Sequence, residues 1–236
     1  MKIGIEINGI VRDINKQYLK YYVKEINPAF DEEKVDMNVT SILPQLKFES
    51  EYIKQKFIFE DYPFEIFGCA HEMTRNLHAY LNGWSYGLYW NDNVEDISLF
   101  SLGEDELSIQ STHFFLSKGS RLRNLFFPRH VSDVWDLFDV VITQDNDIVS
   151  KKPENGIAIV IAKHDNASAQ EGADFVYNSL EDIMNDERLL YNLYEKFNNK
   201  NNISFIKRFG RKIKGFIKKC YNGIRTNKRK DVLLRH

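Results

Sequence analysis

The sequence predicts an α/β protein built on a doubly wound, mostly parallel sheet. Two patterns carry that expectation. Short apolar runs of strand length alternate with stretches whose apolar residues recur every three to four positions. That alternation is the signature of strands connected by helices packed on both faces of one sheet. The size agrees: 236 residues suffice for one such domain of about 200 residues plus an appendage.

The elements are expected in this order. Ile3, Ile5 and Ile7 mark a first strand that runs into a turn at Gly9. Residues 12–26 have helical spacing through Ile14, Tyr18, Tyr21/Tyr22 and Ile26, and Pro28 ends the pattern. Residues 28–106 have little strand character and read as a long insert. Within it, Ser50 to Phe59 and Ala70 to Leu81 look helical, with a turn at Tyr62-Pro63-Phe64. Leu107 to Ser111 is expected to be a second strand, followed by a helix over 112–123. Leu125 to Phe127 gives a third strand, stopped by Pro128, and Val131 to Leu137 a short helix. Strands follow over 139–143, 157–161 and 175–176. A last helix over 179–197 opens on Ser179-Leu-Glu-Asp182, read as a capping box.

Charge divides the chain. Residues 203–236 carry twelve Lys/Arg against one Asp, leaving 20 basic and 33 acidic residues for residues 1–202. An acidic body therefore precedes a basic tail, and the overall net charge of −2 describes neither part. Cys69 and Cys220 lie in unrelated contexts, which points to a reducing environment and no disulfide. No apolar run is long enough to span a membrane. The strand-like N-terminus carrying Glu6 is unlike a signal peptide, so an intracellular or virion location is expected.

In a doubly wound sheet the functional crevice lies beyond the carboxyl ends of the strands, where Glu6, Ser111 and Thr143 are expected to gather. The opening Ile3-Gly-Ile-Glu-Ile-Asn-Gly9 resembles the first motif of the haloacid dehalogenase-like (HAD) hydrolases, an apolar strand ending in Asp-x-Asp-Gly. The resemblance covers about residues 1–197. It implies a catalytic crevice in which the first acidic position is the nucleophile and the second the general acid/base. Here those positions hold Glu6 and Asn8. The family's Ser/Thr position falls on Ser111, or on Thr112. Its phosphate-binding lysine falls on Lys151 or Lys152, and its metal-binding acids on Asp145 or Asp147. Its cap domain, often inserted just after the first strand, is matched in place and length by residues 14–106. Phe138 to Thr143, followed by Lys-Pro and another strand, is also similar to HAD-like proteins of tailed phages.

The substitutions bear on chemistry. Glu6 moves its carboxylate out by one methylene, and a displacement of about 1 Å can cost about 10²-fold. Asn8 cannot exchange a proton at neutral pH, which removes help worth about 10²–10⁴-fold. If the two multiply, the loss is on the order of 10⁴–10⁶-fold. No catalytic residue is therefore expected, and no cofactor. Mg²⁺ is the one ion the resemblance admits, on Glu6, Asn8 and Asp145; the alternative is that these groups merely solvate the open end of the sheet.

Other chemistry lacks a pattern. Cys69, His71 and His78 do not have convincing zinc spacing, Ser108 and Ser111 lack a nucleophile elbow, and no phosphate-binding glycine loop occurs. Tyr80, Trp84, Tyr86, Tyr89 and Trp90 form an aromatic segment suited to core packing or to an interface.

Residues 198–202 read as a linker to an amphipathic basic helix. Ile206, Phe209, Ile213, Phe216, Ile217, Cys220 and Ile224 form its apolar face, and Lys207, Arg211 and Lys218 lie among its basic residues. Its partner-binding residues are expected to be Lys207, Phe209, Arg211, Ile213, Phe216, Ile217 and Lys218. Other protein subunits of a larger assembly are the partner that uses both faces; nucleic acid and an anionic membrane are alternatives. The expected function is a non-catalytic structural or assembly protein, in concrete form a phage virion or tail-machinery component. The alternative is a Mg²⁺-dependent phosphohydrolase acting on a phosphomonoester or nucleotide.

Overall fold

A computed structural model describes residues 1–73, 94–118 and 124–198. Six strands form its frame: β1 (Lys2–Glu6), β4 (Asp96–Phe100), β5 (Leu125–Phe126), β6 (Val140–Thr143), β7 (Ile157–Ile161) and β8 (Phe175–Tyr177). They make one sheet in the order β5-β4-β1-β6-β7-β8, with every pairing parallel. The central strands β6 and β7 are runs of Val, Ile, Ala and Thr buried on both faces, the composition expected where helices cover both sides.

Successive side chains point to opposite faces, and this builds two cores. On one face Ile3, Ile5, Leu99, Ile142 and Ile159 pack with Phe115, Ile183 and Leu193. On the other, Phe100, Val141 and Phe138 pack with Val134 and Ile148, and Val160 packs with Ala169. Gly4 faces this second core because the Phe138 ring lies against it; a Cβ there would come within 2.4 Å of the ring.

The helices are α1 (Ile14–Tyr21), α2 (Glu51–Lys56), α3 (Glu106–Ser117), α4 (Val131–Leu137), α5 (Asn146–Ser150), α6 (Ala167–Gly172) and α7 (Leu180–Asn185). Two further strands, β2 (Arg12–Asp13) and β3 (His71–Glu72), pair antiparallel as a separate ribbon. Residues 14–70 are inserted between these two strands. They hold their own core, in which Tyr18, Tyr22, Ile42, Phe57, Ile66 and Phe67 are buried.

Several expected elements differ. Leu107 to Ser111 is the first half of α3, and the second sheet strand is Asp96–Phe100, inside the range assigned to the insert. The Asp105 carboxylate accepts from the Ser108 amide at 2.9 Å and starts that helix. Burial then recurs at Ser108, Ser111/Thr112 and Phe115/Leu116, a helical period. The first helix begins at Ile14, because Arg12 and Asp13 are drawn into the ribbon. Part of the helix expected over 70–81 is strand β3, and residues 74–93, including the aromatic segment, lie outside the described residues. The single helix expected over 179–197 is broken at Asp186, whose carboxylate accepts from Arg188 N at 2.9 Å and opens a second helical stretch over 189–198. The basic tail and most of its linker also lie outside the described residues. Among the described residues no helix is long and apolar enough to cross a membrane.

Candidate functional site

β1 and β6 lie side by side, and their carboxyl ends deliver Glu6, Asn8, Thr143, Gln144 and Asp145 to one place. The insert faces them with Ile14, Tyr18, Thr40 and Ser41, and the two sides enclose a crevice of about 420 Å³. Glu6 lies at its floor. One carboxylate oxygen, Oε2, accepts from Thr143 Oγ1 at 2.6 Å and from the Gln144 backbone amide at 3.2 Å. Burial nevertheless dominates and pushes the Glu6 carboxyl up to about 7, against the lowering effect of those two hydrogen bonds. The carboxyl therefore holds its proton to higher pH than an exposed glutamate does.

Asn8 is held by a buried charge cluster behind the crevice. Its Oδ1 accepts from Arg12 Nε at 2.9 Å and from Arg12 Nη2. Its Nδ2 donates to Ser101 Oγ at 3.0 Å. Arg12 is fully buried and pairs with Glu104 at 2.7 Å, itself only 2% exposed. The guanidinium also donates to the Phe67 carbonyl at 3.0 Å and to Thr112 Oγ1 at 2.6 Å, and it lies over the Phe67 and Phe115 rings. Thr112 and Ser101 each donate to the Glu104 carboxylate. One cation and one anion thus balance, and the neutral amide of Asn8 satisfies a donor and an acceptor without adding charge.

Gln144 lies across Gly9, whose φ of 75° leaves room for it; a Cβ there would approach Gln144 Nε2 to 1.9 Å. Its amide nitrogen donates to the Thr40 carbonyl at 3.1 Å and to the Asn8 carbonyl at 3.5 Å, tying the insert to the sheet. Asp165, after β7, strengthens that tie by accepting from the Thr40 amide at 2.8 Å and the Thr40 hydroxyl at 2.7 Å.

The expected site residues thus separate. Glu6, Asn8 and Asp145 line one crevice together with Asp147. Ser111 does not reach it: it is buried in α3, with its hydroxyl donating to the Leu107 carbonyl at 2.9 Å. The residue that follows the second sheet strand is Ser101. Lys151 and Lys152 belong to the opposite end of the sheet, because the chain after α5 turns back to begin β7. Lys151 lines a depression with Asp139 and Gly156, which precede β6 and β7. Lys152 pairs with Asp174, which precedes β8, at 2.8 Å. Arg12, Ser101 and Glu104 were missed in the sequence. The one available signal was an arginine set among Ile10, Val11 and Ile14, a charge in an apolar run that demands a partner.

The fit to Mg²⁺ is poor. The ion wants several oxygens converging near 2.1 Å in octahedral geometry. Asp145 Oδ1 is taken by the Asp147 and Ile148 amides at 2.6 and 3.0 Å, and Asn8 Oδ1 by Arg12. The Asn8 carbonyl faces the Gln144 amide nitrogen, and Glu6 Oε2 is taken by Thr143 and the Gln144 amide. Among the described residues no three His, Cys, Asp or Glu side chains converge to hold a metal. Nor does any described Lys, Arg or His line the crevice.

No protein-family model matches the chain, and no curated protein sequence matches it. Among solved structures the chain is similar to a protein of Burkholderia xenovorans LB400 described as a haloacid dehalogenase-like hydrolase. The two share 10% identity over 79% of this chain and 95% of that one, with a TM-score of 0.46. The fold assignment rests on this chain's own architecture: six parallel strands in one sheet with helices on both faces, of the Rossmann-like α/β kind.

Proposed function

We propose that this chain is a non-catalytic HAD-like domain that serves as a structural or assembly protein and docks through its basic C-terminal segment. One observation supports this above the others: both positions that would carry phosphoryl chemistry are engaged elsewhere. Glu6 is buried, hydrogen-bonded and inclined to keep its proton, which makes it a weak nucleophile at neutral pH. Asn8 has both side-chain atoms in the Arg12–Glu104 cluster and no proton to give. A phosphate entering the crevice would meet Asp145 and Asp147 without a described basic side chain to offset them.

The basic segment supplies the docking element in this reading, since its apolar face and its charges together suit a groove on another protein. A component of a phage virion or tail machinery is the concrete form. The second reading, a Mg²⁺-dependent phosphohydrolase with Glu6 as nucleophile, has in its favour that Glu6 lines the crevice at the strand ends.

Hydrolysis of p-nitrophenyl phosphate with Mg²⁺ separates the two. Wild type is expected to match its Glu6→Gln variant at background level; turnover that disappears in Glu6→Gln would overturn the non-catalytic reading. For the assembly role, a chain lacking residues 203–236 is expected to drop out of its complex, and normal incorporation would refute it.

A further inference from the structure

We propose that the crevice between the sheet and the insert binds a small organic cation, an alkylammonium or guanidinium group, in place of an anion. The inference goes beyond the loss of phosphoryl chemistry and asks what the remaining groups can recognise. They are acceptors. Asp147 is exposed beside the crevice, and its carboxylate makes no hydrogen bond to another described residue. Asp145 stands next to it, with one oxygen already capping α5.

A second, independent observation comes from Tyr18. It is 7% exposed and lines the crevice, yet its hydroxyl makes no hydrogen bond among the described residues. The ring packs in the core of the insert, while the hydroxyl oxygen opens into the crevice, where no described side chain meets it. The Tyr18 hydroxyl oxygen can accept from a ligand N–H.

An anion would find little here. The amides that open α5 already donate to Asp145, and no described Lys, Arg or His lines the space. A hard divalent ion would need its oxygens to converge on one point, and they are spread around the crevice. An ammonium or guanidinium group instead uses separated acceptors, one per N–H. The volume of about 420 Å³ is that of a small-molecule site.

The test holds the carbon chain constant and changes the head group. The full-length protein is titrated with n-butylammonium, n-butanol and n-butyl phosphate, and binding is followed by saturation-transfer NMR. The ammonium is expected to bind about tenfold more tightly than the alcohol, with the phosphate weakest. Asp147→Asn is expected to weaken the ammonium about threefold to fivefold, and Tyr18→Phe by at least as much. Tyr18→Phe removes a hydroxyl that supports nothing else, so the fold should persist, checked by an unchanged thermal midpoint. Three results would each overturn the proposal: preference for the phosphate, no binding of any probe at tens of millimolar, or ammonium binding indifferent to both substitutions. Release of inorganic phosphate from n-butyl phosphate, followed in parallel, would refute the non-catalytic reading whatever the order of affinities.

Discussion

Removing the charge of Glu104 should reverse the sign of a second substitution at Asn8. Arg12 is fully buried and its one ionic partner among the described residues is Glu104 at 2.7 Å, so Glu104→Gln leaves a buried guanidinium facing neutral acceptors among those residues. Breaking a buried pair from one side costs about 3–5 kcal/mol; the neutral acceptors that remain place the expectation near the lower limit, about 3 kcal/mol. Asn8→Asp by itself adds a second carboxylate to a balanced cluster and replaces the donor that Ser101 accepts from. It should cost about 1 kcal/mol. In the Glu104→Gln background the carboxylate introduced by Asn8→Asp would face Arg12 Nε across the present 2.9 Å contact and restore the missing anion. There it should return about 1–2 kcal/mol, a coupling of roughly 2–3 kcal/mol between the positions. Urea unfolding of the four proteins measures this directly, provided the m-values agree. If Glu104→Gln costs less than about 1 kcal/mol, or Asn8→Asp shifts stability equally in both backgrounds, the electrostatic account of Asn8 fails.

Three further perturbations probe the crevice. The Glu6 carboxyl rises from 4.5 to about 7 on folding, so the native state holds a proton that the unfolded chain has already released between those values. Stability from this group is therefore greatest below pH 4.5 and is lost as the pH rises to about 7, a fall of about 3 kcal/mol. Glu6→Gln should abolish that fall and be the more stable protein above pH 7, read as the difference between the two curves of urea midpoint against pH; a pH-independent difference would contradict it. Gly9→Ala should destabilise by about 2–3 kcal/mol, part from positive φ and part from displacing Gln144. In a Gln144→Ala background only the conformational part, about 1–2 kcal/mol, should remain. Asp165→Ala removes both acceptors for Thr40, and exchange of the Thr40 amide should accelerate about threefold to tenfold by hydrogen-exchange mass spectrometry.

Local pattern was enough to specify the class of the fold and the identity of its first crevice residues. Strand β1, the runs Val140–Thr143 and Ile157–Ile161, and the helix Val131–Leu137 each show their apolar period or continuous β-branched character in a single window. Glu6 and Asn8 were legible because a strand followed by Gly9 fixes where its last side chains emerge. The second strand was not legible. Asp96-Ile-Ser-Leu-Phe100 alternates like a half-exposed edge, whereas its neighbours β1 and β5 and the cores on both faces bury nearly all of it. Placing that strand at 107–111 carried the serine with it, so Ser111 stood where Ser101 belongs.

What the crevice residues do emerged from the folded arrangement. Arg12 and Glu104 lie 92 positions apart and meet because the ribbon and the β4–α3 turn converge behind Asn8. No window of sequence contains both charges, and their pairing turns Asn8 into a clamp. The raised pKa of Glu6 has a similar origin: desolvation in the fold lifts it, against the hydrogen bonds from Thr143 and Gln144, which are far from it in sequence. Period and propensity are properties of adjacent residues. Desolvation and charge balance are properties of a volume that distant residues fill.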